Sequence, residues 1–128
     1  MERHLVAVYG SLRKTGWLHG HMEGCTFLGE TKVPGRMYKV TNNYPAVVVD
    51  GIEIGDDEQV LVEVYEVDTS QLYLLDMVEG HPSYYRRINV PTEFGGTWMY
   101  VWTPDMVDPR QTRVEDGDWI KYWTSKEQ

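Results

Sequence analysis

Apolar residues along the chain fall into short alternating or continuous runs broken by glycine, proline and acidic clusters, and one longer stretch follows helical spacing. Leu5 to Tyr9 is an apolar run with β-branched residues, which predicts a strand buried on both faces and ending at Gly10-Ser11, where the backbone must turn. Thr15 to Glu23 is interrupted by Gly16 and Gly20, each costing a helix about 1 kcal/mol relative to alanine; a short helix or irregular excursion forming a pocket wall is expected. Strand character returns from Thr26 to Val40 around Gly29 and Pro34-Gly35. A second apolar run, Tyr44 to Val49, stops at Asp50-Gly51. Val60 to Val67 alternates, with Val60, Val62 and Val64 on one face and Leu61, Glu63 and Tyr65 on the other.

The rhythm then changes. Asp68 is placed to cap a helix, and Gln71, three residues on, to complete a capping box. Leu72, Leu75 and Glu79 share one stripe at helical spacing, and Gly80 closes the helix. A carboxylate at the C-terminal end of an apolar stripe is disfavoured twice, by burial and by the negative end of the helix dipole. Glu79 is therefore expected to hold its proton toward neutral pH, where it could both take and give one. Asp76, beside the stripe, is read as structural, bonding backbone or an arginine of the next strand.

Tyr84 to Pro91 predicts another strand. Its alternation lets only one of Tyr84 and Tyr85 face the helix end, and the pattern does not say which. Gly95-Gly96 is read as a turn into the aromatic strand Thr97 to Trp102, which should form a hairpin with its predecessor. Asp105 to Arg113 reads as a loop. Trp119, Ile120, Tyr122 and Trp123, after Asp116-Gly117-Asp118, suit a short terminal helix docked by its aromatics.

With 128 residues and 41% hydrophobic content, one domain over residues 1–128 is expected. A net charge of −8 is the reverse of what phosphate-backbone binding needs, so nucleic acid is excluded as an expected partner. Cys25 is the only cysteine, which leaves no internal disulfide or thiolate cluster and fits a reducing, cytoplasmic setting. No run approaches membrane-spanning length. His19 and His21 lie two apart without a third suitably spaced ligand, and Gly55 to Glu58 lacks the ligand alternation of a calcium loop, so no metal is expected. Lys14-Thr15 lacks the glycines of a P-loop. Gly10 is more informative: with no Cβ it lets a ligand approach the main chain, and successive N–H groups there can cradle a carboxylate.

Tyr9-Gly10-Ser11-Leu12-Arg13, Phe27-Leu28-Gly29, Tyr44-Pro45-Ala46-Val47-Val48, Val62 to Val67, Leu75-Asp76-Met77-Val78-Glu79-Gly80 and Tyr85-Arg86-Arg87 occur in the order and spacing of the γ-glutamylcyclotransferase-like superfamily. The chain resembles that superfamily from about Leu5 to Trp123, and most of all its compact bacterial and phage-type members and the γ-glutamylamine cyclotransferases. The resemblance implies an α+β fold, a small mixed β-barrel with short helices packed outside. It also implies a reaction without cofactor. Backbone N–H groups of Tyr9, Gly10, Ser11 and Leu12 would hold a γ-glutamyl group. Glu79 would take a proton from its α-ammonium so that the amine attacks the γ-carbonyl, releasing 5-oxoproline and an amine. By family position Tyr85 would line the same pocket. Two departures stand out: Val62 where many relatives have Gly, and Trp17-Leu18-His19 where many have Asn-His. Both leave Glu79 intact and bear on the leaving-group side, so the amine released is open. The rival expectation is a family member without activity, serving as a small-molecule or protein-binding module.

Overall fold

The computed structural model of the chain describes residues 2–126. Among them, β1 (Arg3–Val8), β2 (Thr26–Pro34), β3 (Arg36–Lys39), β4 (Pro45–Val48) and β5 (Gln59–Asp68) precede α1 (Thr69–Glu79). A hairpin of β6 (Arg86–Thr92) and β7 (Gly95–Val101) follows, and α2 (Trp119–Lys126) ends the described chain. A 3-10 turn at His19–Met22 is the only regular piece in the glycine-broken excursion, and a second, at Pro104–Met106, sits near the start of the expected 105–113 loop.

The sheet runs β2-β5-β1-β7-β6, with β3-β4 as a separate pair. Only β1 and β7 are parallel; the other neighbours are antiparallel, so this is a mixed α+β fold. Central β1 is covered on both faces, which explains its continuous apolar run. Val6, Val8, Tyr65 and Val67 pack on one face with Leu72 and Leu75 of α1. Ala7, Val60, Val62, Val64, Met99 and Val101 pack on the other with Trp119 of α2. Trp119 is 1% exposed, the aromatic anchor expected of the terminal helix.

The barrel is not closed by pairing. No ladder joins edge strands β2 and β6 among the described residues, although the sheet curls until the two approach. Phe94, in the β6-β7 turn, lies over Gly29, where β2 carries a register shift; a Cβ on Gly29 would stand 2.8 Å from the Phe94 ring. At that bulge a side chain packs across the gap that hydrogen bonds leave open.

Two strand starts differ from expectation. Gly95 and Gly96 lie within the β6-β7 ladder, opposite Thr92 and Pro91, so the reversal falls on Glu93-Phe94. The strand expected from Tyr84 begins at Arg86, because the amides of Tyr84 and Tyr85 donate to the carbonyls of Gly80 and Glu79 and are unavailable to a ladder. Strand parity therefore does not govern the two tyrosines.

Candidate active site

The loop after β1 is pinned from below and left open above. Arg13, 6% exposed, donates from Nε to Glu63 (3.1 Å) and from Nη1 to Asp118 (2.9 Å). The other Glu63 oxygen accepts from the Lys14 amide and the Tyr65 hydroxyl, each at 2.9 Å. Glu63 is itself buried, so a fully bonded ionic cluster ties the loop to β5 and to the start of α2. The Ser11 hydroxyl donates to the Asn43 carbonyl at 2.7 Å, and the Leu18 amide to the Ser11 carbonyl at 2.9 Å. Gly10 packs against Pro45, whose Cδ would stand 2.8 Å from any Cβ placed there. The amides of Gly10, Ser11 and Leu12 donate to no backbone or side-chain group among the described residues.

Glu79 approaches from the end of α1. That helix begins as the sequence predicts, with the Gln71 amide donating to Asp68 and the Asp68 amide to the Gln71 side chain, each at 2.8 Å. It ends at Gly80 in the left-handed region (φ 70°), whose amide closes on Asp76 and Met77. Asp76 takes the structural role expected of it, accepting from Arg87 Nε of β6 at 2.8 Å.

Tyr9, Gly10, Ser11, Leu12, Glu79 and Tyr85 all line one cavity of about 260 Å³. That is small beside ligand pockets of roughly 300–1,000 Å³, and suits a head group the size of an amino acid. Glu79 is half-buried, and no hydrogen bond or ion pair reaches its carboxylate among the described residues. The three tyrosines around it donate their hydrogen bonds elsewhere. Tyr9 donates to the Tyr100 carbonyl (2.7 Å), Tyr85 to the Pro45 carbonyl (2.6 Å) and Tyr100 to Asp76 (2.6 Å). Burial without a compensating donor pushes the Glu79 carboxyl up to about 7. Burial also raises all three hydroxyls above the usual tyrosine range, and the charge of Glu79 adds to the push in each. A carboxyl poised near neutrality beside unspent backbone donors can exchange protons with a ligand whose own anion rests on the loop.

The pattern had left open which of Tyr84 and Tyr85 faces the cavity; both line it. Tyr85 is 6% exposed and deep, whereas Tyr84 is 40% exposed and touches the Tyr44 hydroxyl with its own. Trp17 and Leu18 form part of the wall. Tyr44, Val78 and Tyr100 were not singled out as wall residues. Tyr100 carried a signal, since its parity with Trp98 and Trp102 puts it on the α1 face of β7. Tyr44 carried none beyond its place before Pro45.

A family model described as gamma-glutamyl cyclotransferase, AIG2-like, matches residues 6–121. A Methanocaldococcus jannaschii protein, whose gamma-glutamylcyclotransferase designation is provisional, is 35% identical over 119 residues, covering 91% of this chain and 96% of that protein. The gamma-glutamylcyclotransferase family protein YtfP of Escherichia coli K12 is 33% identical over 117 residues, covering 90% and 95%. In structure, the chain is similar to an uncharacterized Pyrococcus horikoshii protein solved by crystallography. The TM-score is 0.77 at 31% identity, over 97% of this chain and 96% of the other. No helix among the described residues is long and apolar enough to cross a membrane.

Proposed function

The chain belongs to the gamma-glutamyl cyclotransferase, AIG2-like family, and on that premise we propose that it cleaves a γ-glutamyl amide by intramolecular cyclisation, releasing 5-oxoproline and an amine. The observation that carries this reading is a single one. A carboxyl held near 7 lines the same small cavity as the unspent amides of Gly10, Ser11 and Leu12.

In the proposed reaction the substrate's α-carboxylate rests on the loop amides, with Tyr9 and Tyr85 walling the head group. Glu79, ionised, takes one proton from the α-ammonium. The freed nitrogen attacks the γ-carbonyl carbon, closing a five-membered ring and placing negative charge on the former carbonyl oxygen. Loop N–H groups are the donors available to that oxygen. The bond to the leaving nitrogen then breaks as Glu79 delivers its proton there, and the ring nitrogen's surplus proton passes to the released amine. One ammonium is consumed and the ammonium of the released amine is formed. Because attacker and carbonyl share one molecule, holding the bent geometry supplies much of the acceleration, and no covalent enzyme intermediate is called for. Glu79 can serve as base and then acid because its proton affinity sits close to ambient pH.

The test is 5-oxoproline release from a panel of γ-glutamyl amides and γ-glutamyl amino acids, with Glu79→Gln beside the parent. The variant is expected to lose about 10²- to 10⁴-fold in rate while keeping its fold. Silence of the parent across the panel would refute the reading and leave the family's barrel-like scaffold as a binding module.

A further inference from the structure

The two ends of the cavity differ in chemistry. Val8, Tyr9, Leu12, Tyr85 and Tyr100 are buried, whereas Trp17 is 55% exposed and Tyr84 40%, so the last two rings mark the mouth. Both are held in place. Trp17 Nε1 donates to the Asn43 carbonyl at 2.9 Å, and Tyr84 packs edge-on against Tyr44, Tyr85 and Trp102. A γ-glutamyl head group seated on the loop amides occupies the buried end, so the amine that departs must face the mouth.

None of the lining residues is Lys, Arg or His. Three basic residues of the adjoining loop are committed elsewhere, and His21 does not line the cavity. Arg13 is bound by Glu63 and Asp118, the Lys14 ammonium sits 3.4 Å above the Phe27 ring, and His19 Nδ1 lies 2.8 Å from the Leu12 carbonyl oxygen. Among the described residues, Glu79 is the only charged one on the wall. We infer that the mouth selects leaving amines that carry no carboxylate, with an aromatic or alkyl body lying against Trp17, Tyr44 and Tyr84. This rests on the cyclotransferase reading above. A leaving group with its own carboxylate would bring a second negative charge toward ionised Glu79, with no cation on the wall to offset either, in a chain of net charge −8. A carboxylate-free aromatic amine instead gains ring-on-ring contact at the mouth. It leaves as an ammonium, whose charge suits both the aromatic faces and the acidic protein.

The decisive comparison uses γ-glutamylphenethylamide and γ-glutamylphenylalanine, which differ only by the leaving group's carboxylate, with γ-glutamylmethylamide as a small reference. The phenethylamide is expected to release 5-oxoproline with kcat/KM roughly tenfold to a hundredfold above that of the phenylalanine compound. Trp17→Ala, a change at an exposed ring, should narrow the advantage of the phenethylamide over the methylamide, with the melting temperature read alongside. Equal or faster turnover of the phenylalanine compound, or an advantage untouched by Trp17→Ala, would overturn this inference while leaving the reaction in place. No release from any of the three would overturn both.

Discussion

Replacing Glu79 by Gln should stabilise the fold at alkaline pH and not at acid pH. The carboxyl is raised from an ordinary 4.5 to about 7 by burial, so between those values the folded protein binds a proton that the unfolded chain has released. Stability contributed by that proton is fully present below 4.5 and is lost as pH rises through about 7. Each pH unit is worth about 1.4 kcal/mol, which sets an upper bound of about 3.5 kcal/mol on the penalty of the ionised form. Because Glu79 is half-buried and faces a cavity water can enter, about 1–3 kcal/mol is the working figure. Glutamine keeps the volume and carries no charge. Urea denaturation of parent and variant from pH 4 to 8.5, analysed as a difference so that all other titrating groups cancel, is the assay. The variant should gain on the parent progressively between pH 5 and 7 and hold its gain above. Stability curves running parallel across the whole range would refute the claim that Glu79 sits without a compensating partner, and the proton-transfer role with it.

The same carboxyl should govern the rate of 5-oxoproline release. kcat/KM is expected to rise with pH through a midpoint near 7, as the base loses its proton, and a midpoint in the ordinary carboxylate range would contradict the burial argument. Arg13→Met should cost about 3–5 kcal/mol in urea denaturation, because it leaves Glu63 buried and ionised without its partner; a loss under 1 kcal/mol would show that solvent reaches the cluster. Tyr85→Phe removes the hydrogen bond to the Pro45 carbonyl at the cavity floor. It should cost about 1–2 kcal/mol, read from a shifted denaturation midpoint with unchanged slope.

What could be read from the sequence was what neighbouring residues decide among themselves. Asp68, Gln71 and Gly80 define both ends of α1 by local hydrogen bonds, and all three were visible as spacing. The parity of Val60, Val62 and Val64 likewise names the α2 face of β5. Contacts between distant segments left no such trace. Nothing in the spacing says that Arg13 will meet both Glu63 and Asp118, or that the Tyr100 hydroxyl will donate its hydrogen bond to Asp76. Tyr84 and Tyr85 were misread as strand because their apolar neighbours fit an alternation, while the fate of their amides was settled by carbonyls back at the helix end. The barrel failed to close by pairing for a similar reason, since the meeting of Phe94 with Gly29 is a tertiary event.

Those amides also explain why acid and tyrosine are spaced as they are. Gly80 adopts a left-handed turn (φ 70°), which reverses the chain so that Tyr85 returns over the helix end and its amide donates to the Glu79 carbonyl at 3.3 Å. One residue thereby does two things: its carbonyl seats Tyr85, and its carboxyl faces the cavity that Tyr85 helps to line. The Tyr85 hydroxyl cannot then relieve the carboxyl, being spent on Pro45, whose ring in turn packs against Gly10 of the loop. Helix end, tyrosine and bare loop are joined by a continuous run of contacts through Glu79, Tyr85, Pro45 and Gly10. The carboxyl stays without a partner because the neighbouring hydroxyls are committed elsewhere, Tyr85 to Pro45, Tyr9 to the Tyr100 carbonyl and Tyr100 to Asp76, a condition no single one of those residues could impose alone.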